Sequence, residues 1–239
     1  MTKLLPGFFF LTCFLLLFST MLGQQKKEAQ LYKWFDETLG TENSILFNGT
    51  RPSENTRSKD GSHKYYLSSS FVTGNIVYQN QLFFDIPLKY DIHEDELIIN
   101  LTADTKTSII KLIKTNVQQF TLQNKQFVQL QVPEQTMPVS GFYEVLFQSD
   151  DLSLYKKHHK TKKERIVHKE VYTDYRENDE YLIKERGEYR TILNKNDLIS
   201  AIPEHKTTIN NFYKEYDQLR KSDFDAFLIQ LSKYLSGYN

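Results

Sequence analysis

Gln81-Leu82-Phe83-Phe84-Asp85-Ile86-Pro87-Leu88-Lys89-Tyr90 places Leu82, Phe84, Ile86, Leu88 and Tyr90 on one parity, and Phe83, Asp85, Pro87 and Lys89 on the other. Side chains alternate across a strand, so an apolar residue at every second position marks a half-buried β-strand. Pro87 has no backbone donor, which predicts an edge or a bulge at that point. Upstream, Val72, Ile76 and Tyr78 predict a partner strand, with Gln79-Asn80-Gln81 as the turn. Downstream, His93-Glu94-Asp95 turns the chain into Leu97, Ile99 and Leu101.

The same rhythm continues outward. Strands are predicted over 108–113, 118–122, 127–132, 142–147, 152–158, 165–175, 181–184 and 189–193, with Asn124 and Gly187 at hairpin tips. Short connections and even spacing describe an antiparallel meander, without the long crossover helices of a parallel sheet. After Asn196 the period changes. Ile209, Phe212, Tyr213, Tyr216 and Leu219 recur at three and four, as do Phe224, Phe227, Leu228, Leu231 and Leu235. These are two amphipathic helices. Ser222 is the expected N-cap of the second and Gly237 its stop. The expected fold is therefore mainly β: a meander of about eight to eleven strands, curled or forming a partial barrel, with a C-terminal helical pair.

At the N-terminus, Lys3 precedes an apolar run from Leu4 to Leu22, followed by Gly23 and the polar Gln24-Gln25-Lys26-Lys27. Charged start, apolar centre and small-residue exit form the pattern of a cleavable secretory signal. The competing reading is a retained anchor, because the run approaches spanning length. The expected organisation is a signal peptide over 1–23, a leader and loop segment over 24–60, the meander over 61–193 and the helices over 194–239. Cleavage removes Cys13, the single cysteine. The mature chain then carries no thiol, no disulfide and no lipid-anchoring cysteine, and it holds no second apolar run of spanning length.

Thirty basic residues balance thirty acidic ones. Net charge therefore points to neither nucleic acid nor an anionic membrane as partner. No Gly-x-Ser-x-Gly elbow, phosphate loop or His-Glu-x-x-His motif occurs. Adjacent His158 and His159 would face opposite ways on a strand. We expect no catalytic, metal or cofactor-binding residues and no cofactor. A carboxylate pair brought together by the fold is the one catalytic arrangement that sequence distance does not test.

One charge feature stands out. Lys156, Lys157, Lys160, Lys162, Lys163, Arg165 and Lys169 crowd one short stretch, and an acid-leaning stretch with Asp174, Glu177, Asp179 and Glu180 follows. The structural reading is a basic strand opposite an acidic one, with favourable cross-strand pairs. The functional reading is an anion-facing or partner-facing patch. Were the meander to enclose a cavity, Leu82, Phe84, Ile86 and Leu88 would line it.

The segments Leu46-Phe47-Asn48-Gly49-Thr50, Gly74-Asn75-Ile76-Val77-Tyr78, Leu88-Lys89-Tyr90-Asp91 and Gly141-Phe142-Tyr143-Glu144-Val145-Leu146 resemble a family of uncharacterised exported proteins of Bacteroidetes, as does the tail around Lys195 and Asp197-Leu198. That resemblance implies a periplasmic or outer-membrane-associated setting, or release from the cell, and implies no site. The expected function is a non-enzymatic cell-envelope protein that works by contact with a protein partner. The first alternative is a carrier of an apolar small molecule or lipid, and the second a carboxylate-based hydrolase.

Overall fold

A computed structural model of the chain describes residues 45–52, 61–103, 106–132, 140–167 and 170–237. The expected signal peptide, most of the leader, Cys13, His168 and Lys169 lie outside the described residues. The chain divides into two units, 1–48 with 102–107, and 49–101 with 108–239. Of the first, the described part includes a single 3-10 turn, Ile45–Phe47.

The strands are β1 (Gly49–Thr50), β2 (Val72–Tyr78), β3 (Gln81–Asp91), β4 (Glu96–Ala103), β5 (Lys106–Leu112), β6 (Val117–Leu122) and β7 (Lys125–Leu130). They continue as β8 (Gly141–Gln148), β9 (Leu152–Lys157), β10 (Lys160–Val167), β11 (Glu170–Glu177), β12 (Glu180–Glu185) and β13 (Glu188–Ile192). Eleven form one open antiparallel sheet in the order β1-β5-β4-β3-β2-β6-β7-β8-β9-β12-β13, and β10 and β11 form a separate two-stranded ribbon. The predicted meander is therefore present, but the single strand predicted over 165–175 is instead the end of β10 and most of β11, two strands paired antiparallel. The link from β5 to β6 is only residues 113–116, yet three strands lie between them in the sheet. A flat sheet would put them about 19 Å apart, beyond the reach of so short a link containing a 3-10 turn, so the sheet curls here.

The hairpin turns have a local cause. Gln79 and Asn80 have φ of 49° and 65°, Gln123 and Asn124 of 50° and 62°, and Arg186 and Gly187 of 47° and 89°. Two successive positive φ values make the tight turn whose twist matches the flanking strands, and Asn and Gly tolerate that region best.

The alternation of β3 is interrupted. Phe83 is buried while Leu82, Phe84 and Ile86 are half-buried, and Leu88 and Tyr90 are fully buried. Asp85 has φ of 54°, its N–H donates to Asn75 Oδ1 at 3.1 Å, and the register with β2 shifts between Gly74 and Ile76. This bulge inserts a residue and exchanges the two faces. The single apolar parity read along residues 82–90 is thus two half-strands with opposite inward parity; the bulge expected at Pro87 is at Asp85, and Pro87 is back in register opposite Thr73.

The core beneath β3 is aromatic. Phe120 and Phe127 stack at 4.7 Å, and Tyr90 meets Phe120, Phe127 and Phe142 edge-on at 5.3, 5.4 and 5.8 Å. Edge-to-face geometry of this kind adds about 0.5–1.5 kcal/mol per pair beyond burial.

The helices are α1 (Lys195–Ala201), α2 (Lys206–Glu215), α3 (Asp217–Ser222) and α4 (Phe224–Leu235). The expected C-terminal helical pair is there, its first member interrupted at Tyr216 and preceded by α1. Asn194 caps α1 in a capping box with Asp197. The N-cap of α4 is Asp223 rather than Ser222: its carboxylate accepts from the Ala226 N–H at 2.9 Å. Asp223 has an extended φ of −150°, whereas Ser222 is the last residue of α3. Ile209, Phe212, Phe227, Leu228 and Leu231 bury against Leu152, Leu154, Ile183 and Ile192 of β9, β12 and β13. Tyr155 and Leu182, one residue out of phase, face the opposite side with Tyr143.

Candidate functional site

β9 pairs with β12 up to Lys157↔Glu180, and β10 pairs with β11 from Lys160↔Glu177. Both ladders share one register. They are two halves of a single long hairpin, interrupted where His158-His159 faces Asn178-Asp179. The inner half is part of the large sheet and the outer half is the ribbon. The break is cross-braced: the Asn178 N–H donates to the His159 carbonyl at 2.9 Å. The ribbon base is anchored by Lys160, whose Nζ donates to the His63 and Tyr65 carbonyls at 3.0 and 2.9 Å.

A chain of charges runs through the break. Lys125 Nζ reaches Glu144 Oε1 at 2.8 Å, and Glu144 Oε2 accepts from His158 Nε2 at 2.7 Å. His158 Nδ1 lies 3.5 Å from Asp179 Oδ1, an ionic contact rather than a short hydrogen bond. Asp179 Oδ2 meets Lys156 Nζ at 3.1 Å, and Lys156 also binds Asp225 Oδ2 at 2.8 Å. The Tyr181 hydroxyl donates to Asp225 Oδ1 at 2.5 Å. The chain therefore ties β7, β8, β9, the ribbon connection, β12 and α4 together. The His158 ring is flanked by Tyr66 at 4.7 Å and Phe127 at 5.9 Å.

Charge states follow from these contacts. Burial pulls the His158 pKa down, but Asp179 and Glu144 outweigh it and hold it above the ordinary 6.5. Glu144 titrates below its ordinary value: burial opposes ionisation, and His158 and Lys125 overcome it. Asp179 is lowered in the same way, with burial opposed by His158 and Lys156. The acids are thus carboxylates and His158 favours the imidazolium. Each ionised oxygen is committed to a cation, which suits a brace better than a general base.

A concavity of about 370 Å³ opens beside the break, walled by His93, Glu94, Asp95, Lys157, His159 and Glu180 among others. Three acids do converge here. Asp95 is saturated, however: it accepts from the Tyr90 hydroxyl at 2.6 Å and from Lys157 at 2.6 Å, and it pairs with Lys114. Burial raises its pKa, yet Lys157 and Lys114 bring it below the usual carboxylate value. His93 Nδ1 is engaged by the Lys160 carbonyl at 2.8 Å. A second concavity, of about 410 Å³, is walled by Asp150, Asp151, Glu185, Arg186, Glu204 and His205 among others. There Arg186 bridges Glu185 and Glu204, both at 2.9 Å.

Of the seven basic residues singled out by sequence, Lys169 lies outside the described residues and the other six separate into two groups. Lys156, Lys157 and Lys160 face inward and are bound as described, so they contribute no outward patch. Lys162, Lys163 and Arg165 are on the exposed ribbon, where Lys163 faces Asp174 in the ladder, Arg165 pairs with Asp174, and Lys162 meets Glu164 at 2.7 Å. Opposition of a basic and an acid-leaning strand is realised for Lys163 and Arg165 through Asp174, whereas Lys162 faces Tyr175 and pairs within its own strand. Leu82, Phe84, Ile86 and Leu88 belong to neither concavity. Sequence reading placed His158 only beside His159, Asp179 only in the acid-leaning stretch and Asp95 only in a turn, and it gave no site role to these or to Glu144. One signal was there: Glu144 is an acid inside the apolar run 142–147, and a charge in a buried strand requires a partner.

One further structural feature is exposed rather than concave. Ile166 and Val171 face each other across the ribbon ladder, with 76% and 53% of their surface in solvent. No protein-family model, curated protein or solved structure matches this chain. Among the described residues no helix is long and apolar enough to cross a membrane.

Proposed function

We propose that the protein is an exported, non-enzymatic component of the cell envelope and that it acts by contact with another protein through the β10–β11 ribbon. The exposed Ile166–Val171 pair carries this reading. Two apolar side chains held side by side on a braced element, with Glu164 and Lys162 on the same face, have the make-up of a small contact patch with a polar rim. The commitment of Asp95, Glu144, Asp179 and His158 to their partners supports the non-enzymatic part, since a catalytic base needs an uncommitted lone pair. Export rests on the apolar run Leu4 to Leu22 and on the resemblance to exported Bacteroidetes proteins.

The test is crosslinked capture from native envelope with the wild-type protein and with the double variant Ile166→Asp/Val171→Asp. The reading expects one or a few proteins recovered by the wild type and lost from the variant. The same proteins captured equally by both would refute it.

A further inference from the structure

The ribbon's two edges are not equivalent. Along β11, Thr173 is buried and the Tyr175 N–H donates to Ser62 Oγ at 2.8 Å. Along β10, residues 161–166 are all exposed, on both faces. The phase of the ladder is set by the bonds at its base. The Lys160 N–H leaves the ribbon to reach the Ile92 carbonyl at 3.3 Å, while His159 turns its carbonyl inward to Asn178. Inward and outward groups alternate along an antiparallel strand. Lys162, Glu164 and Ile166 therefore present N–H and C=O outward, and β10 has no second ladder partner among the described strands.

An edge of this kind is a template for another strand. Its charges select what is added. Lys163 and Arg165 project from one face, and Lys162 and Ile166 from the other, with Glu164 the sole acid in the exposed segment. A second basic strand is repelled. A strand with carboxylates opposite Lys163 and Arg165 gains cross-strand pairs, and an apolar residue at its end covers Ile166. From the open edge and its charge, we infer that β10 binds an extended acidic segment of a partner protein by strand addition. This deepens the proposed function and rests on its ribbon contact.

The experiment uses the full chain and a fluorescent eight-residue peptide alternating glutamate and valine, read by anisotropy. Saturable binding is expected, weakened by salt and on the order of tenfold by Lys163→Glu. A peptide of the same sequence, N-methylated at alternate amides, is expected not to bind, because strand addition needs those donors. Glu164→Pro removes one outward N–H of β10 without touching the β10–β11 ladder, and binding is expected to fall. Where that variant fails to fold, the methylated peptide carries the same test. Equal binding of the methylated and unmethylated peptides, or absence of saturable binding, overturns strand addition. Partner capture that depends on Ile166 while no peptide binds leaves the proposed function standing and removes this inference. Peptide binding without any envelope partner does the reverse.

Discussion

Replacing His158 by glutamine tests whether the charge chain braces the hairpin break. The side chains of His158 and Glu144 are 10% and 3% exposed, so their 2.7 Å bond is shielded from water. A charge-assisted bond of this kind contributes about 1.5–3 kcal/mol, and losing it leaves a buried carboxylate with one cation fewer. The 3.5 Å contact to Asp179 is looser, and at that length its share is below about 1 kcal/mol. Glu144 retains Lys125 and Asp179 retains Lys156, which limits the damage. The expected loss for His158→Gln is about 2–3 kcal/mol. The assay is urea unfolding over a pH series, with His159→Gln as control.

The pH dependence supplies a second reading from the same experiment. His158 has its pKa raised on folding, so its stabilisation is fully present below about 6.5 and is lost as pH rises through the folded pKa. Glu144 and Asp179 have theirs lowered, so their stabilisation is present above about 4.5 and is lost as pH falls through the folded values. Wild type should be most stable between these limits and decline above them, with a slope of at most about 1.4 kcal/mol per pH unit from this one proton. His158→Gln should be flat on the alkaline side. A variant that keeps the wild-type slope there, or that costs less than about 0.5 kcal/mol, refutes the brace.

Further outcomes follow from packing, capping and export. Phe127→Ala empties the centre of the aromatic cluster and should cost about 3–5 kcal/mol in urea unfolding, with little change for the more exposed Phe84→Ala. At Gly74 a Cβ would collide with the Thr121 carbonyl of the neighbouring strand, so Gly74→Ala should destabilise strongly while Gly187→Asn, at a turn tip, should be nearly neutral by thermal melting. Asp223→Ala should cost about 1 kcal/mol by loss of the α4 cap, and Ser222→Ala much less, measured by the same unfolding curves. The proposed export predicts that N-terminal sequencing of the protein from its native cells begins at or near Gln24; a start at Met1 restores the anchor reading.

The strands and tight turns were legible because each is written locally. Asn80, Asn124 and Gly187 mark turns by their tolerance of positive φ, and the 3.6-residue recurrence from Ile209 to Leu235 marks helices. The face exchange in β3 was not legible, since Leu82 to Tyr90 reads as one unbroken alternation. The bond from the Asp85 N–H to Asn75, ten residues away, is made at the bulge and leaves no mark on the local alternation. The choice of Asp223 over Ser222 as cap turned on which residue leaves the helical backbone, a matter of one peptide unit. The basic run was visible as composition, but composition does not distinguish Lys156, bound to Asp225 across 69 residues, from Lys163 in solvent. Long-range partners decided which charges are structure and which are surface.

The break at His158-His159 and Asn178-Asp179 preserves the register of the hairpin on both sides, and this makes reach an independent variable. Residues added or removed in matched pairs beyond Lys160 and Glu177 alter neither the large sheet nor the pairing at the base. Two on each strand extend the arm by about 7 Å and restore the same residues to the same face. The ribbon can thus be retuned in length while the body that holds it stays unchanged.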